Sequence, residues 1–495
     1  MLPISLRSNG RRALIIGGGS VAARKAESLA AAGFPIAVVA ERIGDRLRDS
    51  LREGGGTFAQ RAYDSSDLRG ASLVVAATDD AAVNARIVED ARALNVLACD
   101  ASTPERGDFT MPATLRVGEL TISADSAGAS PAFSKRIVRE LSVVFGPEYA
   151  RALETLRRMR VAIKEVFPRD EGAEILRELA QRPVAELARM PERTAICASR
   201  RSRLATAQSR SVAARLAERG IATTLLGITT SGDRDQRSSI DRIGSVNVFV
   251  TEVENALRDG RADYAVHSCK DLPSTLSAGL RIAAISVRED PRDAFCSERY
   301  ASLDELPADC VVGTSSPRRR AQLLSLRPDL RYETLRGNVD TRLRKLRDGE
   351  YDAIVLAMAG LRRLGQGATH VVPFELERMV PAAGQGALAI ETRAGDEEIA
   401  AILRAAVNDP ATELCVQCER AALAAMHAGC SAPIGIHARL AGGDMAAVGT
   451  IEAEPGNLVR ASVQGRVTKM EEAHALGTAL AAALSNRATA AGARR

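Results

Sequence analysis

Near the middle of the chain the apolar run Tyr264-Ala265-Val266 ends in His267-Ser268-Cys269-Lys270-Asp271, and Pro273 closes the segment. That pattern places Lys270 and Asp271 at the C-terminal edge of a strand, where crevices open in α/β sheets. A lone pair of this kind is ordinarily a solvated salt bridge. Several basic groups, however, end other predicted elements: Arg200 with Ser202, Arg318 and Arg319 in Gly313-Thr314-Ser315-Ser316-Pro317-Arg318-Arg319, Arg336 and Arg342 in Leu335-Arg336-Gly337-Asn338-Val339-Asp340-Thr341-Arg342, and Arg363. Taken singly, each reads as a surface arginine. Together, on turns rich in Gly, Ser and Thr, they suit bidentate binding of a ligand with many carboxylates. Cys430 follows Gly429 in a turn closed by Pro433, where small neighbours leave room for a bulky adduct on the thiol.

A second constellation lies near the start. Leu14-Ile15-Ile16 runs into Gly17-Gly18-Gly19-Ser20-Val21-Ala22, a strand, a GxGxxA turn and a helix. Such glycines let backbone N–H groups approach a pyrophosphate at the positive end of the helix. Glu41, ending the next strand, is placed for the ribose hydroxyls and favours NAD, although Arg42 beside it equally suits a 2′-phosphate. Cys99-Asp100-Ala101 puts a carboxylate at another strand end, where the plain alternative is an Asx turn.

The elements that must position these residues follow from length and pattern. A chain of 495 residues is long enough for about three domains. Strand and helix patterns alternate up to Val96–Ala98, turn almost wholly helical from Ala132 to about Leu187, and alternate again from Ala195. Gly146–Arg193 is amphipathic and reads as an independent helical connector or dimerisation arm. Of the 67 basic residues only six are lysine, a bias spread along the whole chain; with no Trp and 3% aromatics, nucleic acid is not the expected partner. No apolar run is long enough for a membrane, and no signal peptide is recognised at the start, so reduced cysteines and a cytoplasmic location are expected. Cys415 and Cys418 form a lone CxxC read as packing rather than a metal site.

Two resemblances follow. Leu2-Pro3-Ile4, the glycine turn through Lys25, Ala76-Ala77-Thr78-Asp79-Asp80, Phe109-Thr110-Met111-Pro112 and Ser126-Ala127-Gly128-Ala129-Ser130-Pro131 are similar, over about residues 1–190, to the precorrin-2 dehydrogenase/sirohydrochlorin ferrochelatase family. That resemblance implies NAD held by Gly17, Gly19, Ser20, Val21, Ala22, Glu41 and Thr78, and precorrin-2 as substrate. It also implies a catalytic Asp100 that accepts a proton or escorts Fe(II) as a second substrate, and Ser126 near the tetrapyrrole.

Over about residues 194–490, His267–Pro273, Thr230-Ser231-Gly232-Asp233, Gly313–Arg319, Arg336–Arg342, Pro381–Ala387 and Gly429–Gly435 resemble porphobilinogen deaminase in order. This implies that Asp271 stabilises positive pyrrole nitrogens and helps move the proton, with Lys270 beside it. Cys430 would carry a dipyrromethane cofactor as a thioether. Arg200, Ser202, Gln208, Arg318, Arg319, Arg336, Arg342, Arg363 and Gln385 would hold the acetates and propionates of porphobilinogen. The family's lid stretch departs here: Ser245–Glu252 has no lysine, and Arg242 is the available substitute.

The expected architecture is therefore multidomain α/β. A Rossmann-like NAD domain (1–112) and a helical dimerisation segment (113–193) precede a two-lobed, periplasmic-binding-protein-like α/β pair (194–290 with 381–407, and 291–380). A small C-terminal α+β domain (408–490) carries the cofactor cysteine. A homodimer through the amino-terminal half is expected. Two other readings stay open: an amino half that only dimerises and senses NAD, and a two-lobed binding protein without catalysis. Cys430 and the His267–Asp271 segment speak against the passive binder, which needs neither.

Overall fold

The structure, a computed structural model, describes residues 2–229, 250–426, 432–454 and 456–492. Cys430, Thr230–Asp233, Arg242 and most of Ser245–Glu252 lie outside the described residues. The chain divides into two compact units, Met1–Arg151 and Ala152–Arg495.

In the first unit, strands β1 (Arg12–Ile16), β2 (Ile36–Ala40), β3 (Thr57–Gln60), β4 (Ala71–Ala76) and β5 (Leu97–Asp100) form a sheet of order β3-β2-β1-β4-β5, with every pair parallel. Both faces are covered, so β1 and β2 are continuous apolar runs rather than alternating ones. Ile15, Val38 and Val75 pack with helices α1 (Ser20–Ala30) and α2 (Asp45–Glu53). Ile16, Val39 and Val74 pack with α3 (Ala81–Ala93) on the other face. The order reverses direction between β1 and β4, the position at which doubly wound sheets bind ligands. A hairpin of β6 (Ala113–Val117) and β7 (Leu120–Ala124) follows, with α4 (Pro131–Val144).

The second unit opens with helices where the sequence suggested an independent arm. Helix α5 (Pro147–Val166) begins the run, followed by α6 (Arg169–Ala180) and α7 (Val184–Leu187). From Ala152 onward Met159, Ile163, Val166, Phe167, Leu179, Leu187 and Met190 pack on Ala213 and Ala217 of α8 (Arg203–Ala217) and on Ala222. Gly220, at φ +77°, leaves the space Met190 fills: an added Cβ would lie 2.5 Å from the Met190 Cβ. Residues 152–190 thus pack on the following α/β lobe and belong to the second compact unit, where the sequence suggested an independent segment. A chain beginning near Gly146 should therefore melt cooperatively. One beginning near Met190 should bare an apolar face and melt lower, by on the order of 5 °C in a calorimeter. Equal melting temperatures would mean that this packing adds no stability.

Two further sheets complete the lobes. The first joins β8 (Thr194–Arg200), β9 (Ala222–Ile228), β10 (Tyr264–Ser268) and β11 (Leu280–Ile285) with the later β17 (Leu388–Arg393) in the order β11-β17-β10-β8-β9. The second contains β12 (Asp293–Ser297), β13 (Val311–Gly313), β14 (Arg331–Glu333), β15 (Ala353–Ala357) and β16 (His370–Pro373) in the order β14-β13-β15-β12-β16. Strand β17 runs antiparallel to β10, and β12 antiparallel to β15. Their amino ends therefore arrive where the neighbouring parallel strands have their carboxyl ends. The C-terminal part is an antiparallel sheet of β18 (Ile434–Ala441), β19 (Asp444–Glu454) and β20 (Asn457–Arg466). It packs on helices Pro410–Ala425 and Met470–Gly492, with Cys418 in the shared core.

Candidate functional site

A cavity of about 390 Å³ opens at that shared edge of the two lobes. Arg200 ends β8 and Ser202 follows it; Ser268 ends β10, with Lys270 and Asp271 just beyond; Ser315 and Arg319 follow β13, Arg336 follows β14, and Arg363 follows β15. Gln385–Ala387 enter on the amino side of β17. Among the described residues that line it, six, Arg200, Lys270, Arg319, Arg336, Arg342 and Arg363, are cationic, and Asp271 is the one carboxylate. Such a wall is complementary to a polyanion with one site of positive charge. Asp271 is exposed to this open cavity rather than buried.

The polar side chains are held by neighbours. Gln208, buried on α8, donates to the Ser268 hydroxyl at 2.8 Å. Lys270 Nζ donates to Gln385 Oε1 at 3.2 Å. Arg363 donates to the Gly386 carbonyl at 2.6 Å, and Arg342 Nε to the Gly337 carbonyl at 2.8 Å. Burial, with Arg319 adding repulsion, pushes Lys270 down to about 8 against the pull of Asp271. Burial, with the same Arg319, brings Arg342 down to about 10. Lysine is charged below its pKa, so Lys270 offers a cation below about pH 8 and loses it above. The KM for a carboxylate substrate should rise several-fold as pH passes 8, the loss of one charge-assisted hydrogen bond. Lys270→Arg should move that rise beyond pH 10; an identical profile in both proteins would release Lys270 from binding.

Two of the expected ligand-binding arginines are also held by a buried carboxylate. Arg318 does not line the cavity: its Nη1 donates to Asp293 Oδ2 at 2.6 Å and to the Val380 carbonyl at 2.8 Å. Arg319 reaches the wall, yet its Nε and Nη2 bond Asp293 Oδ1 at 2.9 and 2.7 Å, and Nη1 bonds the Val355 carbonyl at 2.8 Å. Three of its five N–H donors are thereby bonded to the protein. Asp293, fully buried at the start of β12, also accepts from Gln385 Nε2 at 3.0 Å. Burial opposes its charge, but Arg318 and Arg319 hold its carboxyl well below the usual range. Sequence reading missed Asp293, because in Glu289-Asp290-Pro291-Arg292-Asp293 it looks like one more surface charge. Glu419 was missed likewise. It is buried, pairs with Arg288 at 2.7 and 2.9 Å, and accepts from the Gly384 N–H at 2.6 Å.

At the edge of the first sheet the expected residues also gather. Gly17 has φ +127°, and an added Cβ would lie 2.2 Å from the Ala77 carbonyl; at Gly18 it would lie 1.9 Å from that of Arg42. Both are fixed by the fold. Gly19 is different: an added Cβ meets nothing within 4 Å, and its backbone is extended. No protein atom requires a glycine there, and the space beside the first amides of α1 is open, as a phosphate at a helix N-terminus would need. Ser20, Val21 and Ala22 start that helix, and Glu41 stands exposed just past β2.

Thr78 lies just past β4, and its N–H and hydroxyl bond Asn84 Oδ1 at 3.1 and 2.7 Å. Asp100 ends β5, 1% exposed. Its Oδ1 does close the Asx turn, accepting from Ser102 N at 2.8 Å, Ser102 Oγ at 2.6 Å and Thr103 N at 2.9 Å. Its Oδ2, however, is buried without a partner. Burial would raise its pKa, but these hydrogen bonds hold it below the ordinary value. Ser126 spends its Oγ accepting from Ser130 N at 3.1 Å, in the turn before α4.

Fold and site thus define a two-lobed α/β protein with a cationic cleft, preceded by a doubly wound nucleotide-binding-type unit. Residues 196–401 match the porphobilinogen deaminase, dipyrromethane cofactor binding domain family, and 413–486 the porphobilinogen deaminase, C-terminal domain family. Residues 4–113 match the family described as "Putative NAD(P)-binding". The chain is 47% identical over 289 residues to the porphobilinogen deaminase of Chromobacterium violaceum, covering 58% of this chain and 92% of that protein. It is 48% identical over 297 residues to that of Albidiferax ferrireducens, covering 59% and 93%. A solved structure named "SirC, precorrin-2 dehydrogenase" aligns at 28% identity with a TM-score of 0.33, over 36% of this chain and 89% of that one. The chain belongs to the porphobilinogen deaminase family.

Proposed function

We propose that this chain is a bifunctional enzyme of tetrapyrrole synthesis. Its second unit condenses porphobilinogen into hydroxymethylbilane with release of ammonia. Its first unit oxidises precorrin-2 with NAD. The observation that carries the deaminase reading is the cleft, with its six cations around one carboxylate.

Each porphobilinogen brings an acetate and a propionate, and Arg200, Arg336, Arg342, Arg363 and Lys270 neutralise them while Ser202 and Gln208 orient them. As ammonia leaves and the ring turns electron-poor, positive charge develops on a pyrrole nitrogen. Asp271, fixed just beyond β10, is the group that stabilises it and takes up the displaced proton. The dipyrromethane cofactor, when attached, supplies the primer to which rings are added. Cys430 is its anchor in this proposal. The thiols of Cys197, Cys269, Cys296, Cys415 and Cys418 are all pushed up to about 11 or 12 by burial, which leaves them poor nucleophiles. Incubation of the full chain with porphobilinogen, followed by uroporphyrin absorbance, tests the deaminase. Unchanged porphobilinogen would leave only a binding protein.

For the first unit, the open cradle at Gly19 fits a dinucleotide pyrophosphate, with Glu41 at the ribose and Thr78 beside the next strand end. NAD, when bound, supplies the hydride acceptor. Asp100 takes the proton, its free Oδ2 held in place by the bonds on Oδ1. Insertion of Fe(II) at that oxygen is the further step the resemblance implies; siroheme absorbance on adding Fe(II) to sirohydrochlorin tests it. Gly19→Val should fold normally, because an added Cβ meets no protein atom within 4 Å. NAD binding by calorimetry should weaken by at least about tenfold, or 1.4 kcal/mol, with deaminase turnover intact. Unchanged NAD affinity would remove the cofactor site.

Val143 and Phe133 on α4, 85% and 55% exposed, support self-association of the first unit; sedimentation of the full chain should show a dimer. No helix among the described residues is long and apolar enough to cross a membrane.

A further inference from the structure

Asn84, one turn into α3, is completely buried and uses both ends of its amide. Its Oδ1 accepts from Thr78 N and Oγ1 at 3.1 and 2.7 Å. Its Nδ2 donates to the Thr78 carbonyl and to Ser102 Oγ, both at 3.1 Å. The amide orientation is settled by its partners, since the Thr78 N–H must meet an oxygen. Ser102 Oγ in turn donates to Asp100 Oδ1 at 2.6 Å. A continuous chain, Thr78–Asn84–Ser102–Asp100, therefore links the carboxyl ends of β4 and β5. The helix has no other need of this amide, because Asp80 already caps its first turn through Ala82 N and Val83 N. A carboxamide has two donors and an oxygen with two lone pairs, and every one of these is used here.

We propose that Asn84 is a positioning residue that ties the cofactor loop at Thr78 to the proton-accepting Asp100. The proposal rests on the dehydrogenase reading. With three hydrogen bonds on Oδ1 the Asp100 carboxyl plane is set, and its unpartnered Oδ2 faces one fixed direction. Asn84 makes that direction common to the loop that meets NAD. Satisfied buried networks of this kind act as units rather than as sums of pairs. Aspartate at position 84 would lack the two donors and set a second carboxylate into the same network.

The test uses the full chain as wild type, Ser102→Ala, Asn84→Ala and the double variant. It reads NAD affinity by calorimetry without tetrapyrrole, and kcat and KM for precorrin-2. Ser102→Ala, at the Asp100 end of the chain, should weaken NAD about three- to tenfold and lower kcat more than it raises the precorrin-2 KM. In the Asn84→Ala background the same substitution should change NAD affinity no further. A merely structural Asn84 would lower the melting temperature and leave the effects independent. NAD affinity unchanged in Ser102→Ala, or single effects that simply multiply, would overturn the positioning role while wild type still reduces NAD. If Asn84→Ala does not fold, Ser102→Ala alone decides through its NAD affinity. A wild type that binds no NAD would overturn both readings.

Discussion

Asp271→Asn is expected to slow porphobilinogen consumption by about 10²–10³, the scale on which removing one preorganised electrostatic group acts. The substitution keeps the shape and loses only the charge. Among the described residues lining the cavity Asp271 is the one carboxylate, so none of those neighbours can take its place. Its exposure sharpens the expectation: the carboxylate is open to solvent until substrate fills the cavity, and only then does it act at full strength. Asp271→Glu should retain part of the activity, since the charge survives with a shifted reach. Equal turnover by the Asn variant and wild type, followed at saturating porphobilinogen, would reduce Asp271 to a structural group.

Asp293→Asn should have the largest effect on stability. It leaves Arg318 and Arg319 buried with no compensating charge, and breaking one side of a buried ion cluster costs about 3–5 kcal/mol. Urea unfolding at pH 7 measures this. Because the folded-state pKa of Asp293 lies below its ordinary value, its contribution is fully present above the usual carboxylate range. It is lost as pH falls through that range toward the folded-state value. Wild type should therefore destabilise in acid more steeply than the variant. A variant within about 0.5 kcal/mol of wild type would mean that the two arginines find other partners.

Much of this molecule was legible before any coordinates. The glycine turn, Thr78 and Asp100 sit on one sheet edge because parallel strands present their carboxyl ends together, and apolar runs separated by helices reveal such strands. The same logic gathered Arg200, Lys270, Asp271, Arg336, Arg342 and Arg363. It gave no sign of how Arg318 and Arg319 are held, because a sequence shows that an arginine follows a strand but not which carboxylate waits across the lobe. Asp293 arrives on an antiparallel strand, so its place at the amino end gave no signal of being in the site. Residues 152–190 were misread for a related reason: an amphipathic helix announces an apolar face without naming what covers it. Asn84 carried no signal, since its value lies in partners six and 18 residues away.

The central claim, that the cleft extends a chain of pyrroles from a covalent primer, is tested most directly by the mass of the purified full chain. The intact protein should exceed its sequence mass by one dipyrromethane, and peptide mapping should place that mass on Cys430. An adduct on Cys269, or full porphobilinogen turnover by a protein with no adduct, would contradict it.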